Sequence, residues 1–496
     1  MHLSALDIIV FFALTIGNVI FGASFFLRNR TSAQFTSGGG NLPSWVVGMS
    51  IFATFVSSIS FLALPGNAYS TNWNALVFSF SIPVASIMAV KFFVPLYRSF
   101  GSISAYHYLE TRFGAWARTY ASLCYLLTQF MRTGAILLLL ALPLNALFGW
   151  NTHTIIILTG IAVMFYSMLG GIRAVVWTDA IQGIVLIAGA LVCAVVITFS
   201  MPEGPQQIFE IAAQNNKFSL GSFGTSLSTS TFWVVLVYGL FINLQNYGID
   251  QNFVQRYMAT NTDRKAKSSA LFGSLLYVPV SFVFFYIGTA LFAYYTAQPE
   301  LLPDNLKQPG TGDKIFPYFI VNGLPKGITG LLIAAIFAAG MSTVSTSLNS
   351  TATIILTDYY KRYVNTNPGN RSSMLVLYCS SAVVGTLGII IAISLAGVES
   401  VLDAWWSLAS IFSGGMLGLF LLAFLSKKVK RIDAAIGVIC GVVVIAWLSL
   451  SPLWFTSGRL LTFKSPFHSN LTIVIGTLVI FLVGFLVMKI FSNRKE

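Results

Sequence analysis

The sequence has 496 residues, of which 56% are hydrophobic and 9% are charged, and its formal net charge is +13. Because soluble domains carry about 25% charged residues, this composition excludes an ordinary soluble protein and indicates a polytopic membrane protein. The positive charge does not indicate nucleic-acid binding, since most Lys and Arg lie in alternate loops between apolar runs. The sequence has no Walker motif, so ATP-driven transport by this chain alone is not expected.

Long apolar runs predict an all-α fold, because a membrane-spanning helix needs about 20 apolar residues. A β-barrel would instead show short segments of alternating hydrophobicity. Thirteen transmembrane helices are predicted, in chain order 7–26, 44–66, 73–97, 119–146, 153–170, 177–199, 230–252, 268–296, 316–357 (long and bent), 373–395, 403–425, 433–451 and 470–491.

The basic residues are distributed unequally between the two sides of the membrane. With the N-terminus outside, the inner loops and helix ends hold 21 of the 28 Lys and Arg, and the outer ones hold six. Arg132 is the remaining one, and Arg256 is counted among the inner residues. This asymmetry predicts a multi-pass protein of the cell (inner) membrane with its N-terminus outside and its C-terminus in the cytoplasm.

Hydroxyl side chains crowd the predicted span 316–357, over residues 338–353. Ser342, Thr343, Ser345 and Thr346 are spaced i, i+1, i+3 and i+4, so they gather on one side of a helix. Neutral oxygens inside a membrane are suitable ligands for a small hard cation such as sodium. The alternative is that these hydroxyls bond to their own helix or allow close helix packing.

Two ionisable residues lie within predicted spans, Arg132 in the fourth helix and Asp179 in the sixth. Charges inside a membrane often mark a substrate or ion path. Arg132 has no carboxylate near it in sequence, and a guanidinium facing a cavity can bind a carboxylate through two parallel hydrogen bonds. The alternatives are a structural contact of Arg132 with a carbonyl, and stabilisation of Asp179 by its own helix dipole.

The second and seventh predicted helices are polar and interrupted by glycine. Such segments at corresponding positions in two halves of a transporter indicate broken helices around a central site. Here they begin two five-helix blocks, 44–199 and 230–425, although no sequence repeat is visible between the blocks. The alternative is ordinary hydrogen bonding between helices.

Four separate motifs, at 57–66, 170–179, 250–259 and 348–360, resemble the sodium/solute symporter family. The resemblance extends over nearly the whole chain, and the motifs occur in the family's order. It implies the LeuT-like fold in a single domain, 1–496. This domain would consist of a leading helix at 7–26, an inverted repeat of five plus five helices at 44–199 and 230–425, and two C-terminal helices at 433–491.

The resemblance also implies sodium sites. Some members, including bacterial sialic acid symporters, have a second site beside the one that the family shares. The shared site would use the carbonyls of Ala53, Val56 and Ala339 and the hydroxyls of Ser342 and Thr343. The second site would use Asp179, Ser342, Ser345 and Thr346.

Within the family, the greatest likeness is to bacterial sialic acid symporters. Arg132, Ser57 and Ser60 would then surround the substrate carboxylate. The sequence departs from that pattern at Phe55, where a threonine is expected, and at Ser79, where a glutamine is expected. The full predicted substrate site is Phe55, Ser57, Ser58, Ser60, Ser79, Arg132, Phe241 and Gln245.

The predicted function is therefore sodium-coupled import of a small carboxylated solute, with sialic acid favoured, by a monomer in the lipid bilayer. One alternative is a proton-coupled carrier that uses Asp179 as its proton site. Another is a sugar or amino-acid symporter in which Arg132 is only structural. An enzyme is not expected, because the four histidines (His2, His107, His153 and His468) lie in loops or chain ends and form no constellation.

Overall fold

The computed structural model describes residues 4–28, 31–308, 310–396, 414–455 and 458–492, and every regular element in these ranges is helical. Within the described part of the first half, the helices are α1 Ala5–Ala23, α2 Ser32–Ser37, α3 Ser44–Phe55, α4 Ser58–Ser70, α5 Trp73–Phe100, α6 His107–Phe113, α7 Ala115–Phe148 and α8 Thr152–Phe199. Within the described part of the second half, they are α9 Gln206–Gln214, α10 Phe232–Ile249, α11 Gln251–Tyr257, α12 Asp263–Ala297, α13 Gly312–Asn322, α14 Ile328–Val364, α15 Asn370–Ser394, α16 Met416–Leu425, α17 Arg431–Trp454 and α18 Leu471–Ser492.

The leading helix α1 is attached to the start of α14 by one carboxylate. Asp7 lies in the first turn of α1, after the N-cap residue Ser4. Its Oδ1 accepts the backbone N–H of Gly327 at 2.7 Å and that of Gly330 at 2.9 Å. Carboxylates are stabilised at helix N-termini by free N–H groups and by the helix dipole. Asp7 therefore fixes the position of α1 on the central helix of the fold.

Two helices are broken where the sequence predicted interruptions. The backbone is extended at Val56 and Ser57, and α3 and α4 meet there at a bend of 52°. The chain is likewise extended at Asp250, between α10 and α11. A break of this kind leaves carbonyls of the last helical turn without their usual partners. Both breaks therefore leave backbone oxygens available to other groups, and the prediction of broken helices is confirmed.

Helix α8 combines two predicted spans, 153–170 and 177–199. Its 48 residues would extend about 72 Å as one straight helix, more than twice the hydrocarbon thickness of a bilayer. Gly171 interrupts it with φ +54° and ψ −160°, and a Cβ at this position would lie 2.9 Å from the Cα of Phe35. Glycine is thus required both by the backbone conformation and by the close approach of α2.

The predicted count of thirteen spans is not confirmed. Within the described residues, ten helices are long and apolar enough to cross a membrane, or eleven if α3 and α4 form one broken span. The single long helix predicted at 316–357 was wrong, because the chain turns at Gly327 (φ +89°) and separates α13 from α14. The first part of the span predicted at 403–425, residues 403–413, lies outside the described residues, and α16 is the helix that can be compared with the rest.

Helix α14 lies at the centre of the protein. In its apolar 18-residue stretch, 89% of the residues are buried. In the other candidate spans of the described ranges, the buried share of the corresponding stretch is at most 56%. It packs against α1, α3, α7, α8 and α15. The hydroxyl-rich run of α14 is therefore enclosed by protein rather than exposed to lipid.

The helix ends form two faces that differ in charge. The basic face comprises α2, α6 and the adjoining ends of α5, α7, α12 and α14, and four of the ion pairs in the described residues lie there. The loop face comprises the segments 200–231 and 298–327.

A buried lysine connects the segment 200–231 of the loop face to the end of α4. The Nζ of Lys217 donates to the carbonyls of Tyr69, at 2.6 Å, and of Thr71, at 3.0 Å, at the end of α4. Burial lowers the pKa of Lys217 to about 8. This contact holds the loop segment 200–231 against the broken helix.

Candidate functional site

The break between α3 and α4 lies against the hydroxyl run of α14. The hydroxyl of Ser342 donates to the carbonyls of Ala53, at 3.0 Å, and of Ala339, at 2.9 Å. The Thr343 hydroxyl donates to the same Ala339 carbonyl at 3.1 Å. Four residues of the predicted shared sodium site thus meet, and the fifth, Val56, lies fully buried at the break itself. We call these five residues the neutral cluster, because none of them carries a charge.

The neutral cluster is chemically suited to a small cation. Its oxygens are backbone carbonyls and hydroxyls, and its residues are buried from solvent. Each hydroxyl now donates its proton to a carbonyl, and rotation of that proton would leave all of these oxygens able to accept a cation. A set of uncharged oxygen ligands favours weak, reversible binding of a hard cation.

A second cluster lies nearby and contains a complete ion pair. Arg256 Nη2 is 2.7 Å from Asp179 Oδ2, and both side chains are 0% exposed. Ser50 donates to the same carboxylate oxygen at 2.8 Å, and the hydroxyl of Thr346 lies 3.4 Å from it. Asp179 Oδ1 is buried and has no hydrogen-bond partner. We call Asp179, Arg256, Ser50, Ser345 and Thr346 the charged cluster.

The backbone of α14 and one threonine of α3 connect the two clusters. The Ser345 hydroxyl donates to the carbonyl of Ser342 at 3.1 Å, while the Ser342 hydroxyl itself is directed to the neutral cluster. Thr54 Oγ1 and Thr346 Oγ1 are 3.5 Å apart. Ser342 therefore contacts Ser345 of the charged cluster through its carbonyl, whereas its hydroxyl bonds only on the neutral side, and its sharing between two sodium sites stays a prediction.

Arg132 of α7 reaches the same break in α3. Its Nη2 donates to the carbonyl of Thr54 at 3.3 Å, and the side chain is partly exposed. Among the described residues, no carboxylate lies within ion-pair distance of Arg132. The guanidinium is thus held loosely by one neutral carbonyl, one residue away from Ala53.

The other predicted substrate residues differ in their surroundings. Ser57 caps α4, and the Oγ of Ser58 is buried without a hydrogen-bond partner. The Oε1 of Gln245 on α10 is likewise buried without a partner. The remaining three, Ser60 on α4, Ser79 on α5 and Phe241 on α10, are buried or half-buried.

Phe55 belongs to an aromatic group at the break. Its ring stacks on Tyr247, with centroids 5.3 Å apart, and meets Tyr277 edge-on at 4.6 Å. Phe78 and Phe253 are also in ring contact with it. Where a threonine was expected, the phenyl ring therefore adds apolar bulk beside the polar break.

Comparison with known proteins places this geometry in a family. The model of the sodium:solute symporter family matches residues 35–441. The chain belongs to the sodium:solute symporter family. The sodium/sialic acid symporter NanT of Aliivibrio fischeri is 33% identical over 492 residues, which is 99% of this chain and 94% of that protein. The sodium/sialic acid symporter SiaT of Proteus mirabilis is 34% identical over 439 residues, 88% of each chain.

A solved structure supports the same assignment. The substrate-bound, outward-open state of a Na⁺-coupled sialic acid symporter, described as revealing a novel Na⁺ site, superimposes with a TM-score of 0.90. That protein is 31% identical to this chain, and the match covers 98% of both chains. This symporter therefore has the LeuT-like fold, and it is a sodium-coupled membrane transporter rather than an enzyme.

Arg256 lies at the centre of the symporter, where the sequence did not predict it. Arg256 was counted among the arginines of the inner loops, but its side chain is fully buried beside Asp179. A signal for this was present in the sequence, since the short segment after Asp250 contains Gln251, Asn252 and Gln255 in helical spacing. All three are also fully buried.

Helix α11 holds Arg256 in place through these polar residues. Gln255 Nε2 donates to Asn349 Oδ1 at 2.8 Å and to Thr353 Oγ1 at 3.0 Å, both on α14. Tyr125 donates to Asn252 Oδ1 at 2.9 Å. These hydrogen bonds attach α11 to α7 and α14, although Asn252 Nδ2, Gln255 Oε1 and Asn349 Nδ2 are buried without partners. Two further residues were not predicted. Ser50 belongs to the charged cluster, and the carbonyl of Thr54 accepts a hydrogen bond from Arg132.

Proposed function

We propose that this symporter imports a sialic acid, such as N-acetylneuraminate, or a closely related carboxylated solute, driven by sodium. The observation that carries the proposal is the state of Arg132, a partly exposed guanidinium with one hydrogen bond to a backbone carbonyl. Arginine binds carboxylates strongly through two parallel hydrogen bonds, and such a bond would replace the weak contact with Thr54. The identity of 33–34% with proteins named as sodium/sialic acid symporters gives independent support.

Arg132 would bind the substrate carboxylate together with the hydroxyls of Ser57 and Ser60. Buried polar atoms without partners, such as Ser58 Oγ and Gln245 Oε1, are energetically unfavourable until a ligand or water satisfies them. They are suitable partners for the hydroxyl groups of a sugar acid. Three further residues, Phe55, Ser79 and Phe241, would line the pocket.

The neutral cluster would bind the sodium ion that drives transport. Its ligands come from α3 and α14, so an ion there joins the broken helix to the central helix. Sodium would thereby stabilise the substrate-binding shape of the break, and substrate would in turn raise the affinity for sodium, since such coupling is reciprocal. Each positive charge that enters gains about 2.3 kcal/mol per 100 mV of membrane potential.

A second sodium ion would bind the charged cluster through Asp179, Ser345 and Thr346, with Ser342 shared between the clusters. Because the substrate carboxylate carries one negative charge, transport with one sodium ion would be electroneutral, whereas a second sodium ion would give the cycle a net charge of +1 and let the membrane potential contribute about 2.3 kcal/mol per 100 mV. The unpartnered Asp179 Oδ1 supports this proposal, because it is an anionic oxygen without a hydrogen-bond donor.

The charge of the faces supports an orientation. The basic face would lie in the cytoplasm, with the N-terminus outside and the C-terminus inside the inner membrane. We infer a monomer in which 7–26 leads, 44–199 and 230–425 form the two inverted repeats, and 433–491 follows them.

Uptake into proteoliposomes tests the substrate. We expect labelled N-acetylneuraminate to accumulate with an inward sodium gradient and not with a potassium gradient. Arg132→Ala should abolish this uptake, whereas Arg371→Ala, at an exposed arginine in the first turn of α15, should leave it intact.

Unchanged sialic acid uptake by the Arg132→Ala variant would overturn the assignment of the carboxylate site. A panel of unlabelled competitors should include pyruvate, glucose and proline. Sodium-driven uptake of labelled pyruvate without uptake of labelled N-acetylneuraminate would instead assign a smaller carboxylate, for which the added bulk of Phe55 would be the cause.

A further inference from the structure

Arg256 is a fixed cation inside the charged cluster. Its Nε donates to Ser50 Oγ at 2.7 Å, and its Nη1 donates to the carbonyl of Asn252 at 2.6 Å. Its Nη2 is shared between Asp179 Oδ2, at 2.7 Å, and Thr346 Oγ1, at 2.6 Å. The guanidinium therefore already contacts two of the side chains that would bind the second sodium ion.

The charge balance of the cluster is neutral before any sodium binds. Asp179 contributes one negative charge and Arg256 one positive charge, and neither side chain is exposed to water. A sodium ion would bring the cluster to a net charge of +1 in a region of low dielectric constant, where repulsion between like charges is strong. The neutral cluster differs because its own five residues include no cation, although Arg132 donates to the neighbouring carbonyl of Thr54.

One half of the carboxylate nevertheless remains available. Asp179 Oδ2 is saturated by Arg256 and Ser50, whereas Oδ1 is buried and has no partner. An unpaired carboxylate oxygen in such surroundings is strongly unfavourable, and a cation is the ligand that relieves it best. The cluster is thus arranged so that one carboxylate can face two cations at once, one on each oxygen.

We propose that Arg256 is a built-in competitor of sodium, which shares Asp179 with the ion and keeps the affinity of the second site low. This inference rests on the second sodium site under the proposed function. Arg256 holds Oδ2 and sodium binds Oδ1, with Ser345 and Thr346 as further ligands. A weak second site releases its ion readily on the cytoplasmic side, where sodium is scarce. The arginine therefore favours turnover at the expense of tight binding.

Sodium titration of the purified full-length protein tests the proposal without measuring transport. Thermal stability and isothermal calorimetry would be recorded from sodium-free buffer, with N-methyl-D-glucamine as the replacement cation, up to high sodium. We expect Arg256→Gln, which removes the charge and keeps hydrogen-bond donors, to lower the half-saturating sodium concentration of the weak site by roughly tenfold or more. Arg256→Lys keeps the charge, so it should bind sodium as weakly as the wild type.

The Arg256→Gln variant leaves Asp179 as a buried, unpaired carboxylate, so its folding should itself depend on sodium. If this variant does not fold even in high sodium, Asp179→Asn/Arg256→Gln carries no charge and serves instead. That double variant should retain only the sodium binding of the neutral cluster. The proposal is overturned if folded Arg256→Gln binds sodium no more tightly than the wild type, or if the double variant retains both sites.

The experiment separates this inference from the substrate assignment. Sodium binding is measured without sialic acid, so failure of sialic acid to bind would leave the titrations unaffected. Ser345→Ala provides the positional control, because it removes a ligand of the second site and keeps both charges. It should weaken sodium binding at the charged cluster and leave sodium binding at the neutral cluster unchanged. Loss of binding at the neutral cluster alone would contradict the proposal.

Discussion

Two arginine–carboxylate clusters lie along α14, and both are electrically neutral, but they differ in exposure and in the atoms that lack hydrogen bonds. The charged cluster has one carboxylate and one guanidinium, both 0% exposed. The latch cluster at the basic face has two of each, Arg118, Arg362, Glu110 and Asp358. Arg118 lies 2.6 Å from Asp358 and 2.8 Å from Glu110, whose side chain is 29% exposed.

The groups that remain unpaired are opposite in the two places. At the centre, the buried atom without a partner is a carboxylate oxygen, Asp179 Oδ1. In the latch cluster, the buried atoms without partners are donors, Arg118 Nε and Arg362 Nη1. The charged cluster can therefore accept a cation at its unpartnered oxygen, whereas the unpartnered donors of the latch cluster can gain only an acceptor such as water. The first is suited to ion binding, and the second is suited to holding α6, α7 and α14 together.

The largest effect is expected from Asp179→Asn, which leaves the guanidinium of Arg256 buried without a counter-charge. Breaking a buried ion pair from one side destabilises a protein by about 3–5 kcal/mol. Thermal and denaturant unfolding in detergent, without sodium, should show a loss of this size in the free energy of unfolding. The double variant Asp179→Asn/Arg256→Gln should recover most of it, and the absence of recovery would show that the pair is not coupled.

A smaller effect is expected from acidification at the basic face. Burial alone would raise the pKa of Glu110, but the guanidinium of Arg118 holds it below the ordinary range. A lowered pKa means that Glu110 stabilises the fold above its unfolded pKa of about 4.3, and that this contribution disappears as pH falls through the folded pKa. The contribution should be at most about 1 kcal/mol, because the side chain is partly exposed to solvent.

Melting temperatures of the wild type and Glu110→Gln, compared from pH 7 down to pH 3, isolate this contribution. The two curves should converge as the pH falls, since protonated Glu110 is neutral like glutamine. Parallel curves over the whole range would show that Glu110 does not stabilise the latch cluster through its charge.

The smallest effect is expected on the loop face. Lys307 and Asp304 form an ion pair at 2.8 Å with i, i+3 spacing, and both side chains are exposed. Exposed pairs contribute little because water and salt screen them. Lys307→Ala should therefore change neither the melting temperature nor sodium-driven uptake. A clear decrease in the melting temperature or in uptake would mean that even an exposed ion pair contributes to the stability or function of this protein.

Local signals in the sequence predicted part of the centre, and distant contacts determined the rest. The hydroxyl spacing on α14 and the polar segment around Val56 correctly predicted a buried polar helix and a broken helix. Arg256 was misplaced because its burial depends on a partner 77 residues away, and hydropathy treats each residue by its neighbours in sequence. The turn at Gly327 was not predicted for a related reason. Apolar residues lie on both sides of it, so hydropathy predicted one continuous helix over 316–357.

The roles of individual site residues stay predictions for the same physical reason. The sequence indicates which oxygens can bind a cation. Whether these oxygens bind one depends on the directions of the hydroxyl protons and on what occupies the site. The loop between the spans predicted at 153–170 and 177–199 is replaced by Gly171 alone. Only the packing of Phe35 against this glycine explains why the chain can turn there without further residues.

Helix α14 has a mechanical consequence. Thr346 and Asp358 are separated by twelve residues, which is roughly 18 Å along a helix. One continuous helix therefore touches the ion-binding centre at one level and the basic-face ion pairs at another. The helix is α-helical as far as Ile354 and π-helical from Ile355 to Val364, so Asp358 lies in the wider turn. A displacement of the whole of α14 would change the contacts at both levels together.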